Sequence, residues 1–212
     1  MEGTPVAVES VRDVGTETIA LELSTPDGFD ALPGQFVLLR AELDGEEITR
    51  HYTLSSPAVT ETFELTVGVD PDGDLSPWLA DLEGGETVHV EGPFGTITYE
   101  GETDVVAVAG GPGVGPAVAI AEAAHDAGRE ASVVYQDDSP AHEDRLEALA
   151  TDGATVTIID DGDEAGLADA VAEHLEDGQF YVFGFSDFVH AVGDAIEEAG
   201  GDSDEALIEN FG

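Results

Sequence analysis

Arg50-His51-Tyr52-Thr53-Leu54-Ser55-Ser56-Pro57 sets one cation and one aromatic two residues apart and follows them with hydroxyls and a proline. In an extended strand side chains alternate between faces, so Arg50 and Tyr52 point the same way while Thr53 and Ser55 offer hydroxyls and amides nearby. A strand of that kind can hold a flat ring carrying phosphates. Only five residues of the 212 are basic and none is a lysine, so composition alone makes an arginine here uncommon. The same residues also fit an edge strand whose Arg50 pairs with one of many acids and whose Tyr52 caps a core.

Outward from that stretch, the first half of the chain consists of short, β-branched, roughly alternating runs separated by turn signals. Strands are predicted at 6–14, 18–23, 35–41, 47–54, 62–69 and 87–91, and six such strands suggest a small antiparallel barrel. After the fifth comes Val69-Asp70-Pro71-Asp72-Gly73-Asp74-Leu75-Ser76-Pro77-Trp78-Leu79, a turn that becomes a short helix. A helix entry presents free N–H groups, and Gly73 lets backbone approach a ligand closely, which suits a pyrophosphate. Ser76 as a plain helix cap and Trp78 as a core anchor is the other reading. Gly92-Pro93-Phe94-Gly95 then marks a tight exit from the barrel.

Near residue 104 the period changes. A buried apolar strand at 105–109 leads into Ala109-Gly110-Gly111-Pro112-Gly113-Val114-Gly115-Pro116 and then an alanine-rich helix at 116–127. Strand and helix keep alternating at 131–136, 143–150, 155–160, 166–175, 180–183 and 188–199, with a last short strand at 206–211. Such alternation implies a doubly wound parallel sheet with helices on both faces and ligands at the carboxyl ends of its strands. A glycine loop between its first strand and first helix is where a dinucleotide pyrophosphate would sit.

Composition bounds the remaining choices. Cysteine is absent, which excludes disulfides, thiol nucleophiles and a cysteine-ligated iron–sulfur cluster carried by this polypeptide. Forty-eight acids against five bases give a formal net charge of -43, yet 42% of residues are hydrophobic and the acids are scattered through periodic segments. A folded protein with a highly acidic surface follows, suited to a cytoplasm of molar salt, and nucleic acid and anionic membranes are not expected as partners. No charged leader opens the chain, and the long charge-free run 105–121 is broken by glycines and prolines, so no membrane span is predicted. The six histidines lack metal-ligand spacing, and no serine elbow is present.

Together these motifs resemble the ferredoxin reductase-like family of FAD-containing NAD(P)H oxidoreductases. Residues 50–57 resemble its Arg-x-Tyr-Ser/Thr flavin motif; Gly73, Leu75 and Ser76 match its Gly-x-x-Ser phosphate turn; Gly110, Gly111, Gly113 and Pro116, with Val114 between them, match its nicotinamide loop Gly-Gly-x-Gly-x-x-Pro. Pro112 stands where the family often has a threonine. Phe183-Gly184-Phe185 resembles its Cys-Gly-Pro segment in Gly184 alone, and Glu209-Asn210-Phe211 its terminal Glu-x-aromatic, whose aromatic often lies near the flavin ring.

The resemblance implies an FAD-binding barrel at 1–100, an NAD(P)H-binding α/β domain at 101–212, and hydride transfer from nicotinamide to flavin N5. It implies that Tyr52 stacks on the isoalloxazine, Arg50 neutralises flavin phosphate, and Thr53 or Ser55 hydrogen-bonds near N5. Electrons then pass to an acceptor that the sequence leaves open: ferredoxin, an oxygenase component, a quinone or another small molecule. An electron-transfer or regulatory subunit acting only within a complex, or a nucleotide-binding module without flavin, are the alternatives. NADH is expected over NADPH. The turn Val134-Tyr135-Gln136-Asp137-Asp138-Ser139 follows the second parallel strand, where an acid such as Asp138 would accept from the ribose 2′-hydroxyl and meet a 2′-phosphate with like charge.

Overall fold

A computed structural model describes residues 2–212. The first half folds into β1 (Thr4–Gly15), β2 (Thr18–Ser24), β3 (Phe36–Leu43), β4 (Glu46–Thr53), β5 (Thr62–Gly68), the short helix α1 (Leu75–Ala80) and β6 (Thr87–Phe94). Its sheet runs β4-β3-β6-β1-β2-β5 with every pair antiparallel. The two ends of that order meet where Leu54, just past β4, bridges Leu65 of β5. The sheet therefore curls round so that its two end strands touch at this bridge.

Period two decides which side chains fill the barrel: Phe63, Leu65 and Val67 of β5 are buried with Leu21, Leu23, Val37, Leu39 and Val88, and α1 adds Leu75 and Leu79 to the same core. Glu64 and Thr66 consequently point to the opposite face of β5.

The second half contains β7 (Val105–Gly110), α2 (Val114–Asp126), β8 (Ala131–Gln136), α3 (Glu143–Thr151), β9 (Thr155–Ile159), α4 (Glu164–Glu173), β10 (Gln179–Gly184), α5 (Ser186–Glu198) and β11 (Leu207–Asn210). Its sheet runs β11-β10-β7-β8-β9, all parallel. β7 and β8 are buried along their whole length because helices cover both faces. Val105, Ala107 and Ala109 face α2 and α3, while Val106 and Val108 face α4 and α5.

Element ends differ from the sequence reading by a few residues. Gly111–Gly113 form a 3₁₀ turn and α2 starts at Val114, because Pro116 is tolerated inside a first turn, where its missing N–H has no helical partner to lose. Asp163 caps α4 by accepting from the Gly166 amide at 3.0 Å, which starts that helix at Glu164. Between the sheets, Tyr99 packs in the core of the second half, donating to the Thr103 carbonyl at 2.8 Å and lying edge-on to Tyr181.

Candidate functional site

One cleft of about 920 Å³ separates the two halves and draws its lining from both. The barrel contributes Arg50, His51, Tyr52 and Thr53 of β4, Phe36 opposite Thr53 on β3, Thr66 of β5, and Gly73, Leu75 and Ser76 beyond it. The parallel sheet contributes Gly111, Pro112 and Pro116 after β7, Asp137 after β8, Phe185 after β10, and Ile208 to Phe211 at β11. The residues contributed after β7, β8 and β10 lie beyond the carboxyl ends of their strands, where this topology leaves room for a ligand, and those at β11 run along that short strand to just past its end.

The barrel wall combines one cation with aromatic and hydroxyl groups. Arg50 is exposed, and its guanidinium donates to the Thr49 carbonyl at 2.9 Å with no carboxylate paired to it among the described residues. The pairing with an acid that the edge-strand reading expected for Arg50 is thus absent among the described residues, while Tyr52 does pack against the core. Tyr52 packs partly against the barrel core, and burial pushes its hydroxyl up to about 12, opposed by Arg50. It is a neutral phenol throughout the working range. His51 lies edge-on to Phe36 with ring centroids 5.3 Å apart.

Glu209 was not singled out as a site residue in the sequence, although it opens the terminal Glu-x-aromatic. Its carboxyl is pushed up to about 7 by burial, an effect that the hydrogen bond with the Thr53 side chain only partly offsets. Its Oε2 is buried without a hydrogen-bond partner among the described residues. An orphaned carboxylate oxygen in a cleft fits a ligand that brings its own polar atoms.

Several residues singled out in the sequence stand behind the cleft surface. Ser55 is fully buried, its hydroxyl 2.7 Å from that of Thr66, so Thr66 and not Ser55 faces the cleft. Ser76 is not the helix cap: Asp74 holds that position, and the Ser76 hydroxyl accepts from the Asp70 amide at 3.0 Å. Of the glycines in the loop, Gly111 is the one that lines the cleft, with φ +54 and empty space where a Cβ would be.

A Cβ on Gly113 would lie 2.2 Å from the Phe183 carbonyl, and one on Gly110 or Gly184 would enter the Phe188 ring. These three glycines therefore let the loop and β10 pack closely, and Val114 is buried in the second core. Phe183 is buried there too, whereas Phe185 is 53% exposed at the mouth, edge-on to Phe211 with centroids 6.0 Å apart.

At the end of β8 it is Asp137 that lines the cleft. It accepts from the Tyr135 hydroxyl at 3.1 Å and the Ser139 amide at 2.7 Å. Asp138 turns toward β9 and accepts from the Asp161 amide at 2.8 Å.

The fold is that of the ferredoxin reductase-like FAD/NAD-binding proteins: the chain superposes along its whole length on the flavohem-like FAD/NAD binding domain of nitric oxide dioxygenase from Vibrio cholerae, with TM-score 0.85 and 22% identity, covering 100% of both chains. Residues 5–99, a little under half of the chain, match the oxidoreductase FAD-binding domain. The chain is also similar to the ferredoxin reductase component of 3-ketosteroid-9-alpha-monooxygenase from Mycolicibacterium smegmatis, 30% identical over 99% of this chain and 66% of that protein. Glycine betaine monooxygenase reductase subunit from Pseudomonas aeruginosa is 37% identical over 49% of this chain and 29% of its own length. The chain thus spans less than two thirds of these relatives. No helix among the described residues is long and apolar enough to cross a membrane.

Proposed function

We propose that the chain is an FAD-dependent NAD(P)H reductase, with FAD held by the barrel at 1–100 and the nicotinamide coenzyme by the α/β half at 101–212. The observation that carries the reading is that a single cleft is lined on one side by the Arg50–Thr53 strand and on the other by the ends of four parallel strands. Its relatives, a glycine betaine monooxygenase reductase subunit and a ferredoxin reductase component, support an electron acceptor in an oxygenase system. The charge of -43 supports a cytoplasm of high salt as its setting.

Bound FAD would supply the redox chemistry, accepting a hydride from reduced nicotinamide and releasing electrons onward. In this chain Arg50 would neutralise phosphate, Gly73 and Ser76 would border the pyrophosphate, and Tyr52 would offer its ring to the flavin. Thr53 would offer its hydroxyl at the ring edge, and Glu209, poised near neutral pH, would hold or release a proton beside it. Gly111 and Pro116 border the coenzyme phosphates, while Phe185 and Phe211 cover the mouth.

NADH is favoured over NADPH because Asp137 lines the cleft at the end of β8, backed by Asp138. A 2′-phosphate meeting these carboxylates should cost about 1 to 3 kcal/mol.

The test is an anaerobic absorbance trace in high salt. The protein should be yellow after reconstitution with FAD, should bleach on addition of NADH, and should show a kcat/KM for NADH at least about tenfold above that for NADPH. A yellow protein that neither coenzyme bleaches would instead mark a subunit that transfers electrons only within a complex. A colourless one would sink the flavin assignment.

A further inference from the structure

Away from the cleft surface the two halves are tied by a polar knot centred on Arg145, in the first turn of α3. Its Nε and Nη2 grip the Glu122 carboxylate of α2 at 2.8 and 2.6 Å. Nη1 reaches Glu64 of β5 at 3.0 Å, and Nη2 also donates to the Ser55 carbonyl at 2.8 Å. The far oxygen of Glu64 holds Arg12 of β1 at 2.5 Å. Two of the five arginines in the chain are thus committed to one carboxylate. The Arg145 side chain is 21% exposed and that of Glu64 15%, so this is not a solvated surface pair.

A second thread runs beside the first. His142 Nε2 lies 2.8 Å from Thr66 Oγ1, which lies 2.7 Å from Ser55 Oγ, and the His142 amide donates to the Val14 carbonyl at 2.8 Å. Burial holds the imidazole far below its usual range, at about 3, so it is neutral in working conditions. The first turn of α2 sits directly on this thread: a Cβ on Gly115 would come within 2.3 Å of Thr66 Oγ1 and 2.6 Å of Ser55 Oγ. Thr66 and Pro116 are themselves part of the cleft lining, one from each wall.

We propose that Arg145 is a positioning residue that fixes the Ser55–Thr66 edge of the barrel against the first turn of α2 and so sets the separation of the two cleft walls. It touches neither wall's ligand-facing surface, and it binds side-chain or backbone acceptors from both halves at once. A guanidinium suits this task because its planar fork serves three acceptors in fixed directions, which an ammonium does not. The rate consequence rests on the proposed reductase function; the mechanical consequence does not.

Arg145→Met and the near-isosteric Glu64→Gln test it in the full chain. The single tryptophan, Trp78, packs against the barrel core, whereas four of the five helices lie in the other half. Tryptophan fluorescence and helical ellipticity should therefore melt together in the wild type and separate in Arg145→Met. With saturating NADH, the limiting rate of flavin bleaching should fall about tenfold or more, while the Kd for FAD stays within about threefold. Glu64→Gln should show the same pattern at smaller size, and it alone decides the question if Arg145→Met does not fold.

Coincident melts together with unchanged bleaching would overturn the proposal. So would a loss of FAD affinity in step with the bleaching rate, since that would make Arg145 a plain stability residue. A wild type that binds no flavin would remove the reductase reading and leave the melting comparison to judge Arg145.

Discussion

Arg50 is a cation without a carboxylate partner in a chain that carries 48 carboxylates. Arg12, Arg40 and Arg145 are all paired with acids, so the unpaired guanidinium in the cleft is the group available to an incoming phosphate. Arg50→Ala should weaken FAD binding by about 2 kcal/mol, roughly thirtyfold in Kd, because the phosphate loses its charge-assisted partner. Fluorescence titration of the apoprotein measures it; an unchanged Kd in a folded variant would remove Arg50 from the site. Glu209 gives a pH signature. Its folded carboxyl titrates at about 7 against an ordinary 4.5, so the unfolded chain gives up the proton first as pH rises. The stability present below 4.5 is lost progressively up to about 7 and does not return above it. Glu209→Gln, which cannot ionise, should stabilise the apoprotein at pH 8 by roughly 1 to 2 kcal/mol after allowance for its exposed part, and scarcely at pH 4.5. Equal melting shifts at the two pH values would contradict that assignment.

At the scale of elements, alternation and apolar runs carried the most information. Phe63, Leu65 and Val67 marked the inward face of β5, and the unbroken apolar stretch at β7 marked a strand covered on both sides. The barrel, the parallel sheet and their order along the chain were legible because each rests on local periodicity. Contacts between the halves leave no such mark. Glu64 and Thr66 read as the ordinary outer face of β5, and only the fold shows that α2 and α3 cover them. Glycines were ambiguous for a physical reason: Gly111 is open to a ligand, whereas Gly113 and Gly184 make room for Phe183 and Phe188, and either need removes a Cβ from the sequence. At the end of β8 neighbouring side chains diverge, so Asp137 and Asp138 look equivalent in the sequence and face different surroundings in space.

Across the whole molecule the formal charge of -43 sets how the two halves and their ligands meet. The cleft itself includes Glu17, Asp70, Asp74, Asp137 and Glu209 around the one arginine, so an anionic dinucleotide approaches mostly like charge. Melting temperature and coenzyme affinity should both rise between about 0.1 and 3 M KCl, as the Debye length drops from roughly 10 Å to below 3 Å. This is the reverse of the salt dependence usual for phosphate-binding proteins, and values that stay flat over that range would refute it. The order in which the cleft walls occur along the chain also has a consequence in time. Every barrel residue of the cleft precedes the end of β6 at Phe94, while the facing wall is completed only by Ile208 to Phe211. At a synthesis rate of about 5–20 residues per second, on the order of ten seconds separates the two events on the ribosome. During that interval a nascent barrel presents its side of the cleft to a facing wall that is still incomplete, so loading of a first ligand need not wait for the second wall to be finished.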